Sequence, residues 1–171
     1  MRSGLTRSAL ILAAAVAAAC ASDAGSVTGG NPGNSDFKLT RVGGNAVPAL
    51  DSGDSVAIGT GGVVEYREIY LERGSLTFSQ DSQRFESVLH YAQYAVTTGT
   101  DGQRHLDLRG VVDFEDHGVV THDAQGNLLL QSDLEPSVVH VATADSDGYT
   151  VQYHFPNVTF ALVLAFRPEV R

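Results

Sequence analysis

The chain has 171 residues, 43% of them hydrophobic, and sets eleven basic residues against twenty acidic ones for a formal net charge of −9 at pH 7. That balance excludes nucleic acid and anionic lipid surfaces as partners held by the chain's overall field, since both are bound chiefly through positive charge. A single cysteine excludes a disulfide framework.

Arg2 and Arg7 flank the charged start, and an unbroken run of eleven apolar residues follows from Ala9 to Ala19. A run of that length suits the hydrophobic region of a signal peptide and falls short of the roughly 20 residues that cross a bilayer as a helix. Residues 1–19 therefore read as a signal peptide. At its end, Val16-Ala17-Ala18-Ala19-Cys20 resembles the lipobox of bacterial lipoproteins, with Ala17 where Leu is commonest. The resemblance implies cleavage before Cys20, lipidation of that residue and a membrane anchor. Ordinary A-x-A cleavage at Ala17-Ala18-Ala19 or Ala19-Cys20-Ala21 is the alternative. An unpaired thiol is a liability in an oxidising compartment, which favours a modified Cys20. Ala21 in the second mature position resembles sorting to the outer membrane, facing the periplasm or the surface.

From Ala21 to Asp36 the chain is rich in Gly, Ser, Asn and Asp and has almost no apolar content. Such a segment does not order itself by burial, so 20–36 reads as a lipidated cysteine and its tether. Sixteen flexible residues reach roughly 22 Å in the root mean square. Without the signal, nine basic residues face twenty acidic ones, a net charge of −11.

Phe37 to Arg171 is the size of one domain and long enough to bury about two thirds of its unfolded surface. Its short stretches alternate in polarity and are broken by Gly, Asp and Asn, the period-two signature of strands joined by hairpins. Strands are expected at 37–42, 63–71, 75–79, 105–114, 119–122, 127–131 and 137–143. Turn signals stand at Gly43-Gly44, Gly61-Gly62, Asp101-Gly102 and Gln125-Gly126-Asn127. Ala46 to Gly61 reads as a long loop. Arg84 to Val96 suits a strand through Phe85, Leu89 and Tyr91, although Phe85, Val88, Leu89, Ala92 and Val96 also make a helical stripe. A strand is expected there.

The clearest hairpin follows Asp145-Ser146-Asp147-Gly148, with Tyr149, Val151, Tyr153 and Phe155 on one strand face. A closing strand from Val158 to Phe166 puts Val158, Phe160, Leu162, Leu164 and Phe166 on one side. Eight to ten antiparallel strands with short connections must hide their edges, and a closed meander does so.

Two segments carry a family resemblance. Phe37-Lys38-Leu39-Thr40-Arg41-Val42-Gly43-Gly44-Asn45-Ala46-Val47-Pro48 resembles the opening strand of small lipocalin-like bacterial lipoproteins, and Gly74-Ser75-Leu76-Thr77-Phe78, then Asp81 and Phe85, resembles that family's second hairpin. The resemblance implies an all-β fold, an antiparallel meander closed into a lipocalin-like, calycin-type barrel of about eight to ten strands.

Three groups of residues invite a chemical reading. Gly53-Asp54-Ser55-Val56 looks like the nucleophile block of the G-D-S lipases, but that chemistry also needs an Asp-x-x-His near the end of the chain, which is absent here. Asp113, Glu115 and His117 alternate onto one strand face, with His122 and Asp123 close behind. They are metal-ligand types, but a solvated hairpin end is the simpler account. His105, Asp107 and Arg109 likewise read as an exposed polar side. All six tyrosines fall on expected strands, where packing is their commonest use. Tyr66, Tyr70, Tyr91 and Tyr153 are the candidates for lining a half-wet ligand cavity.

No phosphate-cradling loop, nucleophile with its base or internal repeat is visible, so no enzyme activity and no cofactor are expected. Two functions remain open, and the family resemblance favours the first. One is a lipid-anchored barrel binding a small apolar ligand. The other is a protein-binding or structural envelope lipoprotein, an inhibitor or assembly factor, whose barrel is filled by its own side chains. Phe78, Phe114, Phe155, Phe160 and Phe166 point toward filling.

Overall fold

A computed structural model describes residues 36–58, 63–156 and 158–169. Among them there is no helix. Ten strands follow in chain order: β1 (Asp36–Val42), β2 (Asn45–Ala46), β3 (Ala49–Ile58), β4 (Val63–Phe78), β5 (Arg84–Thr98), β6 (Arg104–His122), β7 (Leu128–Ser132), β8 (Val139–Asp145), β9 (Gly148–His154) and β10 (Ala161–Pro168). The Arg84–Thr98 segment is thus a strand, its helical stripe overridden by pairing on both sides.

All pairings are antiparallel, and the order across the sheet is β2, β1, β10, β9, β8, β7, β6, β5, β4, β3. In addition β1 pairs with β4, through Asp36–Lys38 against Thr77–Ser75. Eight strands, β1 and β4 to β10, therefore close a ring. Outside it β3 extends the sheet beyond β4, and β2 is a short flap on β1. The edge of β4 is shared: Val63–Leu71 holds β3, and Ser75–Thr77 holds β1. Gly74 stands at the hand-over, where an added Cβ would lie 2.9 Å from both Val88 O and Leu89 Cδ2.

Turn chemistry accounts for the hairpins. Gly43 and Gly44 adopt φ of 54° and 88°, the left-handed pair required by a two-residue hairpin of type I′ between β1 and β2. Asp145 caps the β8–β9 turn by accepting the Asp147 N–H at 2.9 Å.

Alternation then fills the ring. Phe85, Ser87 and Leu89 of β5 point inward, as do Leu76 and Phe78 of β4, Val151 and Tyr153 of β9, and Leu164 and Phe166 of β10. Phe37 meets Phe78 edge-on at 6.0 Å, and Tyr149 joins them at 5.0 and 5.3 Å. Burying each such side chain contributes about 1.5–3 kcal/mol relative to exposure.

The sequence expectations need four corrections. The expected loop 46–61 contains β3. Its Asp51-Ser52-Gly53-Asp54-Ser55 stretch is polar because an edge strand outside the core has little to bury. The expected strands 63–71 and 75–79 are one strand, continued through an irregularity between Leu71 and Arg73. Likewise 105–114 and 119–122 are one strand, with an irregularity at Arg109. Finally, β10 begins at Ala161, and Phe160 is 64% exposed, outside the filling.

Candidate functional site

The long strands divide the molecule into the ring and a projection beyond it. In the ring the interior is side chain. Leu71, Phe78, Leu89, Ala142 and Leu164 have no exposed surface, and Tyr153 and Phe166 have almost none. Phe114 and Phe155 close one end, their rings 5.1 Å apart and both within 6.3 Å of Tyr153.

Within this apolar filling lies a buried polar network. His140 Nδ1 accepts the backbone N–H of His154 at 3.0 Å, so the proton sits on Nε2, which donates to Asp116 Oδ2 at 2.7 Å. Asp116 Oδ1 accepts from the Ser132 hydroxyl at 2.6 Å and from the His117 N–H at 2.8 Å. Ser132 Oγ in turn accepts the N–H groups of Leu134 and Glu135, each at 3.2 Å. Beside it the His140 ring stacks on Tyr153 at 3.9 Å, and the Tyr153 hydroxyl lies 2.9 Å from Ser87 Oγ. Burial opposes ionisation of Asp116, but the hydrogen bonds from His140 and Ser132 outweigh it and hold the carboxyl below its ordinary range. Burial likewise pushes the Tyr153 hydroxyl well above the usual tyrosine range.

The three residue types of a hydrolase are present, in the wrong order. Ser132 donates to the carboxylate, and both His140 nitrogens are engaged elsewhere, so the serine has no base. The network instead ties β6, β7, β8 and β9 together with every polar atom satisfied. A pocket of about 170 Å³ beside it is lined by Phe114, Asp116, Ser132, Leu134, His154 and Pro156 among others. It is smaller than the roughly 300–1,000 Å³ of small-molecule sites.

The projection is a four-stranded platform made of β3, the first half of β4, the second half of β5 and the first half of β6. Register fixes its two faces. One, continuous with the ring interior, is polar: Arg67 bonds Glu65 at 2.7 Å and Gln93 at 3.2 Å, and Arg109 bonds Glu65 at 2.6 Å. The bonds from Arg109 and Arg67 hold the Glu65 carboxyl below the ordinary carboxylate range.

The opposite, outer face is apolar and aromatic. Leu50, Val64, Tyr66, Leu106, Leu108 and Val111 lie on it and are 45–61% exposed. At its centre Glu68 is buried, held by Arg104 Nη2 at 2.7 Å to each oxygen and by the Tyr70 hydroxyl at 2.8 Å. Tyr94 meets Tyr70 edge-on at 5.9 Å and donates to Glu72. These bonds to carboxylates raise both tyrosine hydroxyls above their ordinary range.

The four candidate tyrosines thus fall on two surfaces. Tyr66 and Tyr70 are on the outer face of the platform. Tyr91 packs against the core, and Tyr153 is inside the ring. They do not share one cavity. Cys20 lies outside the described residues. Ser55, on β3, is exposed, and its N–H bonds Asp54 at 2.6 Å. Among the described residues no group of three or more metal-ligating side chains converges. Asp113 instead bonds His90 at 2.5 Å, and the acid of that run with a buried role is Asp116, on the other face. Asp116 and His140 were legible by phase, since Phe114, Asp116, Gly118 and Val120 share one face, as do His140 and Ala142.

No protein-family model matches the chain, and no curated protein or solved structure matches it either.

Proposed function

We propose that this chain is a bacterial envelope lipoprotein, anchored through Cys20, with a lipocalin-like barrel filled by its own side chains and a platform that docks protein. The observation that carries the docking reading is the outer face, where Leu50, Val64, Tyr66, Leu106, Leu108 and Val111 are exposed together on one sheet surface. Exposed apolar patches of this kind mark interaction sites on soluble domains. The interior supports the filled-barrel part of the reading: Phe78, Leu89, Tyr153 and the Asp116–His140 pair are buried inside the ring. Among the described residues the Ser132–Asp116–His140 group, whose serine has no base, does not compete with it.

The filled barrel is tested by solvent extraction and mass spectrometry of the protein isolated from its own envelope. The expected extract contains no apolar molecule in stoichiometric amount beyond the protein's own acyl chains. A stoichiometric one would restore the ligand-binding alternative. Intact mass of the membrane fraction tests the anchor, and an unmodified Cys20 would remove it.

A further inference from the structure

The platform has two edges, and they differ. On β3 the charged residues are Asp51 and Asp54, both acidic, so a second copy of that edge would be repelled. On β6 the side away from β5 has no strand partner before Gly118 among the described residues, and all ten residues from Arg104 to Asp113 are exposed. At about 3.4 Å per residue that edge is roughly 34 Å long. Its backbone N–H and C=O groups form a template for another strand.

The irregularity at Arg109 makes this edge complementary to itself. Register with β5 pairs Thr98 with Arg104, Val96 with Leu106, Ala92 with Val111 and His90 with Asp113. Even-numbered residues of β5 share one face, so Arg104, Leu106, Val111 and Asp113 all lie on the outer face. In a regular strand Leu106 and Val111 would be on opposite faces; the extra residue restores the phase. A two-fold axis between Leu108 and Arg109 then sets Leu106 against Val111 of the second copy and Arg104 against its Asp113, with the irregularities of both copies meeting at the axis, where Leu108 lies on the outer face and Arg109, bonded to Glu65, on the inner. Both charged groups have capacity left. Arg104 engages Glu68 through Nη2 alone, and Asp113 engages His90 through Oδ1 alone.

We infer that the partner docked by the platform is a second copy of this chain, joined by antiparallel pairing of Arg104–Asp113 with itself into one eight-stranded sheet across the dimer. This rests on the reading of the platform as a docking element and names the partner of its β6 edge; Leu50, Val64 and Tyr66 stay exposed on the outer face of the dimer. Each dimer would hold two Arg104–Asp113 pairs and two Leu106–Val111 contacts, with the two outer faces made continuous.

Sedimentation velocity of the full-length chain in detergent, over a dilution series, tests it. A reversible dimer is expected. Asp113→Lys sets like charges opposite each other twice per dimer, and Leu106→Lys puts a charge into the apolar contact. Each should weaken dimerisation at least about tenfold. Leu106 is exposed and makes no polar contact, so Leu106→Lys should leave the thermal midpoint of the monomer unchanged, whereas Asp113→Lys also gives up the bond to His90 and its midpoint is expected to fall slightly. Register is read with a photoreactive phenylalanine at Leu106 in chains mixed with isotope-labelled ones, where inter-chain links should fall at Arg109–Asp113. A monomer at every concentration overturns the pairing and leaves the platform for a different protein. A dimer insensitive to both variants, or linked elsewhere, overturns it as well. A dimer that also yields a stoichiometric apolar extract would sink the filled-barrel reading instead and leave the pairing standing.

Discussion

The two halves of β6 are one strand in two environments. From Phe114 to Val120 every second residue is buried or half-buried, and from Arg104 to Asp113 none is. Two glycines mark the contrast. An added Cβ at Gly118 would stand 1.8 Å from Gln131 O, inside the contact with β7, whereas at Gly110 it would meet nothing within 4 Å. Alternation along the strand is therefore only half of a burial argument. The other half is whether a second layer covers the inward face, which the closed ring supplies and the platform lacks.

The sharpest way to break this comparison is Gly118→Ala. The methyl group cannot fit without parting β6 from β7, so a loss of more than about 3 kcal/mol is expected by chemical denaturation. A variant within about 0.5 kcal/mol of the parent would show that the two strands do not approach as described.

Next comes a pair of truncations. Phe78→Ala, in the ring, should cost about 3–5 kcal/mol, and Leu108→Ala, on the platform, no more than about 0.5 kcal/mol. Equal costs would mean that the platform is covered in the free protein.

Asp116→Asn addresses the buried network and should cost about 1–3 kcal/mol, because an amide cannot accept every bond the carboxylate accepts. It also has a pH signature. The folded carboxyl is held below its ordinary range, so its contribution is full above the unfolded value near pH 4 and is lost as the pH falls through the folded value. Denaturation midpoints measured below about pH 4 should therefore decline more steeply in the parent than in Asp116→Asn. Parallel declines would remove Asp116 as a contributor to acid stability.

The smallest effect has the opposite sign. Gly110 has open space and no left-handed φ, so Gly110→Ala should stabilise by about 0.4–1 kcal/mol through the unfolded chain. Destabilisation there would point to a neighbour over the platform.

What could be read in the sequence follows the same division. Where a strand contributes to the ring, its alternation is clean: Tyr149, Val151 and Tyr153 face inward as expected. Where a strand leaves the ring, the pattern fades. Asp51 to Ser55 resembles a loop because β3 has solvent on one edge and little core beneath it. The Phe114 to Val120 stretch does alternate, yet its many charges drew attention to Asp113, Glu115 and His117, the solvated residues, and away from Asp116. The irregularities near Glu72 and Arg109 were invisible, because an extra residue shifts the phase without changing composition. The outer face was hidden for a related reason. Its residues come from four strands, and only the register brings Leu50, Val64, Leu106 and Val111 onto one surface. The tyrosines, grouped by residue type, were divided by that same register.

Ring closure joins the first described strand to the last. Thr40 donates to Ala165 O across 125 residues, Glu169 N–H bonds Asp36 O at 3.1 Å, and Lys38 reaches Glu169 at 2.6 Å. As the chain is delivered with its N-terminus leading, β1 can pair with β4 early but must wait for β10. During that interval both strands that border β10 are open edges, and contacts of such long sequence separation form slowly. The barrier to folding should therefore lie in the arrival of Ala161–Pro168, and any factor that shields β1 and β9 until then would raise the yield without touching the native state.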